Sequence, residues 1–128
     1  MPEQRHILTA IEEALNQLDS RILQMASLVE QNLAHAIRGL LDRDDDLCNQ
    51  AIADDGEVDS LEKKIDQEGH DIILRYAPVA RDLRRVITSM KVSAALERIS
   101  DHAVSLARRA RLLNARTEIT ETSLVRPI

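Results

Sequence analysis

Aromatic side chains are almost missing from this chain: 128 residues contain no Trp, no Phe and a single Tyr, Tyr76. Sheet-based folds normally place aromatics in the core and glycines in the turns, and here there are only three Gly and three Pro. A β-sandwich or an α/β enzyme is therefore not expected. The single cysteine, Cys48, has no partner within the chain for a disulfide, which fits a reducing compartment. No apolar run approaches the ~20 residues of a membrane-spanning helix, and the N-terminus lacks the apolar core of a signal peptide. A basic surplus is also missing, since the net charge is −5. Without basic stretches or aromatic stacking platforms, no nucleic-acid partner is expected. There is no glycine-rich cradle for a phosphate group. The expectation is a soluble, cytoplasmic protein of one domain.

What the chain does contain is aliphatic and charged: hydrophobic residues make up 44% and charged residues 30%. Ile7, Ile11, Leu15, Leu18, Ile22, Met25, Val29 and Leu33 recur at three-and-four spacing, the stripe of one long helix from about Glu3 to Leu41. Asp42 to Asp46 form an acidic break suited to capping the next helix. A second helix is expected from about Asp46 to Tyr76. Pro78 then interrupts, in a position suited to the first turn of a third helix reaching about Asn114. Short connections make neighbouring helices antiparallel. The fold class is thus all-α, an up-down-up three-helix bundle over residues 1–114. Residues 115–128 are expected to form a loose tail or the start of a following helix.

The second and third helices each carry two heptad-like seams. On the second, Leu47, Ala51, Val58, Leu61, Ile65 and Ile72 make an ordinary apolar seam. Beside it run Cys48, Ile52, Asp55, Asp59, Glu62, Asp66, Gly69 and Ile73, apolar at both ends and acidic in the middle. On the third, Val92, Leu96, Ile99, Ala103, Leu106, Ala110 and Leu113 read as the apolar seam. The other there is Leu83, Ile87, Met90, Ala94, Glu97, Asp101 and Val104. Antiparallel register about Ala77 and Pro78 sets Glu97 opposite residue 58 or so and Asp101 opposite residue 54 or so. Asp55, Asp59, Glu97 and Asp101 should therefore converge.

Carboxylates that converge repel one another unless they are protonated, paired with Arg or Lys, or bridged by a hard or borderline cation. Facing helices of bundles build metal sites from such residues. The plainer alternative is a solvated acidic face balanced by Lys63, Lys64, Arg98 and Arg108.

The segments DGEVDSLEKKID (55–66) and APVARDLRRVITSMKVSAALERISDHAVSLA (77–107), preceded by LDSRILQMASLVEQNLAHAI (18–37), resemble the PhoU family of phosphate-uptake regulators. Pro78, Ala80, Asp82-Leu83-Arg84, Glu97-Arg98-Ile99 and Asp101 carry the resemblance together. The family's acidic motif, Glu or Asp followed four residues later by Asp, matches at Asp55/Asp59, Glu62/Asp66 and Glu97/Asp101. The resemblance implies iron or zinc, sometimes as a multinuclear cluster, with these six residues as ligands. It further implies a regulator, not an enzyme, that couples a phosphate ABC transporter to a sensor histidine kinase and reaches the membrane only through its partners. Family members usually carry two such repeats and this chain carries one. The chain is then either a half-length form or one half of a two-repeat protein; either way the second seams lack their in-chain cover, and a homodimer mimicking the two-repeat form is the expectation.

Several other residues bear on function. Asp82, Arg84 and Arg85 could recognise a partner or, with Arg81, an anion; the preferred reading is that Asp82 favours the start of the third helix while the arginines pair with acids on the second. His102 follows Asp101 and so points about 100° away from it. His70 is expected at the surface, and Cys48 reads as a small buried residue. Two alternatives compete with the regulator. A di-iron carboxylate enzyme would need Glu-x-x-His motifs, and none occurs. A histidine phosphotransfer module would need an exposed histidine among small and basic neighbours, for which His35, beside Ala34, Ala36 and Arg38, is the candidate.

Overall fold

The computed structural model describes residues 2–116, whose regular structure consists of three helices, α1 (Pro2–Leu41), α2 (Asp45–Tyr76) and α3 (Ala80–Asn114). The expected tail lies outside the described residues from residue 117 onward. Each helix packs against both of the others, giving the three-helix bundle. None of the three is long and apolar enough to cross a membrane.

The acidic break works as its composition suggests. The Asp44 carboxylate accepts from the backbone N–H groups of Asp46 at 3.0 Å and Leu47 at 3.3 Å, capping α2. Arg43, left-handed at φ 54°, directs its guanidinium to the end of α3, donating to Asn114 O at 3.0 Å and to Leu113 O at 3.5 Å. Carbonyls that have no partner within their own helix are thereby satisfied. At the opposite end of the bundle, α2 stops at Ala77, whose N–H reaches back to Ile73 O at 3.0 Å from a left-handed conformation. Pro78 does not sit in the first turn of α3 as expected. The helix starts at Ala80 behind an extended Val79, because the reversal after Ala77 uses Pro78 and Val79 as connecting chain.

The interior has two unlike halves. Toward the α2–α3 connection it is aliphatic, with Leu15, Leu18, Met25, Val58, Ile65, Ile72 and Val86 in one cluster. Toward the α1–α2 connection it is built from small residues: Ala36, Cys48, Ala51, Ala103, Ala107 and Ala110. The α2 seam is buried as read, apart from Leu47, which is partly covered. Ile7, at the free end of the α1 stripe, is exposed.

On α3 the expected apolar seam holds only in part: Ala103 and Ala110 are buried and Leu96 and Leu106 pack against the core. Val92 and Ile99 are exposed, and the inward face is Val86, Ser89, Ser93, Ser100, Ala103, Val104, Ala107 and Ala110. Serine can occupy such positions when its hydroxyl finds a partner. Ser89 Oγ donates to the carbonyl of Arg85 at 2.9 Å, Ser93 Oγ to Met25 Sδ at 3.5 Å and Ser100 Oγ to Asp55 Oδ1 at 3.0 Å. Val92 and Ile99 are left at the rim.

Candidate functional site

Asp55 and Asp59 stand one turn apart on α2, and Glu97 and Asp101 one turn apart on the facing side of α3. The antiparallel hairpin brings them together: one ligand-capable oxygen from each lies within 4.8 Å of the others. Asp55, Asp59 and Glu97 are half-buried, and Asp101 is exposed at the mouth. Glu62 and Asp66, the other two ligand candidates, lie farther along α2 and are not part of this quartet. Glu62 is half-buried beside it, close enough to feel the charges of Asp59 and Asp101. Asp66 is exposed and lies 3.6 Å from His70 at the helix surface.

Glu97 is the most perturbed group. Burial, then the hydrogen bond it shares with Asp59, then the charges of Asp101, Asp59 and Glu62 push its pKa up to about 8. Its Oε2 is buried without a hydrogen-bond partner among the described residues. Both observations favour the neutral form, because burial and neighbouring like charges penalise an ionised carboxylate. Asp55 is also raised, chiefly by burial, against the opposing hydrogen bond from Ser100. Burial likewise raises Glu62.

An all-oxygen donor set, an orphaned buried carboxylate oxygen and mutual repulsion together fit a cation. No cationic side chain forms an ion pair within the quartet among the described residues. Of the basic residues expected to balance the acids, Lys63 acts on Glu62 and Arg108 on Asp55 only as flanking charges.

Other expectations resolve differently. Arg85 does not pair with α2. It holds α1, with Nη2 2.7 Å from Asp19 Oδ2 and Nη1 3.4 Å from Glu12 Oε1. His35 faces Asp54 at 4.0 Å with its side chain only 15% exposed, a poor position for accepting a phosphoryl group in solution. His70 is exposed and Cys48 buried, as read.

Two residues of the site's surroundings were missed. Asn32 on α1 and Ser100 on α3 are both fully buried, and Asn32 Nδ2 donates to Ser100 Oγ at 3.5 Å, behind Asp55. The signal for Asn32 was present, since 25, 29, 32 and 36 continue the α1 stripe at three-and-four spacing. Ser100 had none, because a lone serine carries no periodicity.

A three-helix bundle with acidic pairs at four-residue spacing on two facing helices is the class that fold and geometry define. The chain belongs to the PhoU family, whose domain matches residues 22–110. It is similar to proteins named "Phosphate-specific transport system accessory protein PhoU homolog" from several bacteria. That of Xylella fastidiosa (strain Temecula1) is 31% identical over 123 residues, 96% of this chain and 51% of the relative. That of Rhizobium meliloti is 36% identical over 81% of this chain and 44% of the relative. That of Pseudomonas aeruginosa is 37% identical over 82% of this chain and 43% of the relative. The chain thus spans about half the length of the curated relatives it matches.

Proposed function

We propose that this protein is an accessory regulator of a phosphate-specific transport system that acts by contact and not by catalysis. In this reading it restrains phosphate-starvation signalling by coupling a phosphate ABC transporter to a sensor histidine kinase on the cytoplasmic side of the membrane. Family membership and the name shared by the relatives support the transport role. Deleting the gene should raise a phosphate-starvation reporter in phosphate-replete cells; an unchanged reporter would remove the role.

The observation that carries the molecular part is the quartet Asp55, Asp59, Glu97 and Asp101. These four residues would hold a cation, with Glu62 close by as a further carboxylate. Between iron and zinc, a set of oxygens without thiolate or imidazole favours iron. The cation supplies positive charge that fixes α2 against α3 and shapes the surface a partner meets. Metal analysis of untagged protein tests this. Stoichiometric metal in the wild type, lost in Glu97→Gln/Asp101→Asn, is expected, and wild type without metal would refute it.

The chain is further proposed to self-associate through the outer face of α1 and α3. Leu23 and Ile37 stand two heptads apart on α1, Val92 and Ile99 one heptad apart on α3, and all four are exposed. Asp19, Ile22 and Leu23 of α1 line a groove with Thr88, Ser89 and Val92 of α3 on that side. Relatives about twice as long make a second copy the favoured occupant. Val92→Glu/Ile99→Glu should halve the mass measured by light scattering, and a wild-type monomer would contradict the proposal.

A further inference from the structure

The boundary between the aliphatic and the small-residue halves of the core is polar, and each helix contributes one residue to it. Asn32 lies between Val29 of one cluster and Ala36 of the other, and Asp55 between Ala51 and Val58. Ser100 completes the layer from α3. The hydrogen bonds have a direction. Asn32 Nδ2 donates to Ser100 Oγ at 3.5 Å, and Ser100, with one proton to give, donates to Asp55 Oδ1 at 3.0 Å. The layer therefore runs from the closed interior of α1 outward and ends on a carboxylate of the quartet.

As a purely structural device this layer is poorly made. Asn32 Oδ1 is buried without a partner among the described residues while the residue itself is 0% exposed. Partly satisfied buried polar groups are worse for folding than an apolar layer of the same shape. Ser100 also had a local option. Ser89 on the same helix returns its proton to the carbonyl four residues back, whereas Ser100 commits its proton to the neighbouring helix. What the arrangement does achieve is to fix one oxygen of Asp55. Groups behind a ligand that hold its orientation are what metal sites require.

We propose that Ser100, backed by Asn32, is a positioning residue for cation binding at the quartet, orienting Asp55 from behind. This rests on the reading of the quartet as a cation site. It also ties α1, which supplies no residue to the quartet, to occupancy of the α2–α3 face.

The test is calorimetric titration of the full chain with Fe(II) under anaerobic conditions, alongside Co(II) as an optical probe of ligand geometry. Ser100→Ala should weaken Fe(II) binding by ~10–100-fold and shift the visible Co(II) bands. Ser100→Thr, which keeps the hydroxyl, should stay within about threefold of wild type. Asn32→Ala, one link farther back, should weaken binding less than Ser100→Ala, and it carries the test should Ser100→Ala lose its helical circular dichroism. Melting of the metal-free proteins separates positioning from folding, because lost affinity with unchanged metal-free melting belongs to the site. If wild type binds and both alanine variants match its affinity and spectrum, the positioning role is overturned while the cation site stands. If wild type binds neither metal, the cation site fails and the positioning role with it.

Discussion

Gly39 and Cys48 touch across the α1–α2 connection: a Cβ added at Gly39 would lie 2.5 Å from Cys48 Sγ. The same Cβ would meet Cys48 N at 3.1 Å and Asp44 O at 3.2 Å, so backbone as well as thiol would have to give way. Gly39→Ala should therefore destabilise the bundle by about 1–3 kcal/mol. Gly56, in the middle of α2, is the control, since nothing lies within 4 Å of its added Cβ. Gly56→Ala should stabilise by roughly 0.5–1 kcal/mol through helix propensity alone. Urea unfolding of the two variants should show shifts of opposite sign.

Stability should depend on pH with a sign unusual for carboxylates. Folding raises Glu97 from 4.5 to about 8, so between those values the folded state binds more protons than the unfolded one. Metal-free protein should therefore lose stability as pH rises through that window, with the whole penalty present above about 8. Asp55 and Glu62, also raised, act in the same direction. Glu97→Gln should flatten this decline and stabilise the metal-free protein at alkaline pH by on the order of 1 kcal/mol. Equal urea midpoints for wild type at mildly acidic and mildly alkaline pH, with chelator present, would contradict the repulsion argued for the quartet.

Arg85 joins α3 to α1 through Asp19, Glu12 and Asn16. The group is partly solvated, with side-chain exposures of 32% for Arg85 and 47% for Asp19, so screening limits its worth. Arg85→Ala should cost about 0.5–1 kcal/mol, and the difference from wild type should shrink as salt is added. A salt-independent loss would point to packing of the arginine stem instead.

The Asp44 cap makes a local prediction. Asp44→Ala leaves the Asp46 and Leu47 amides without their acceptor and should cost about 1 kcal/mol. Hydrogen exchange should quicken first at the start of α2. Exchange that quickens equally along the whole helix would mean that the cap supports the fold globally.

Three helices, their breaks and their antiparallel order were legible because each signal is local: the three-and-four stripe of α1, the run of aspartates ahead of α2, Pro78 after it. The convergence of Asp55, Asp59, Glu97 and Asp101 was legible too, because a short hairpin fixes register and four-residue spacing keeps each pair on one helix face. Glu62 and Asp66 obey the same spacing, yet register carries them past the end of the α3 pair. Spacing within one helix does not tell which of its acids a second helix will meet.

Ala103 and Ala110 are buried as read, but the rest of the inward face of α3 was decided by the tertiary structure. Taken alone, Val92 and Ile99 outrank Ser93 and Ser100 in hydropathy, and a reading of one helix assigns them to the core. In the bundle three helices compete for one axis, and close approach favours the face with the smallest side chains, provided their hydroxyls are satisfied. Ser93 meets Met25, and Ser100 meets Asn32 and Asp55, partners on other helices. The sequence by itself determined helices, caps and paired acids, all set by neighbours along the chain. The burial of the serines, the polar layer behind Asp55 and most of the proton affinity of Glu97 depend on groups 35 to 68 positions away, which only packing brings within reach.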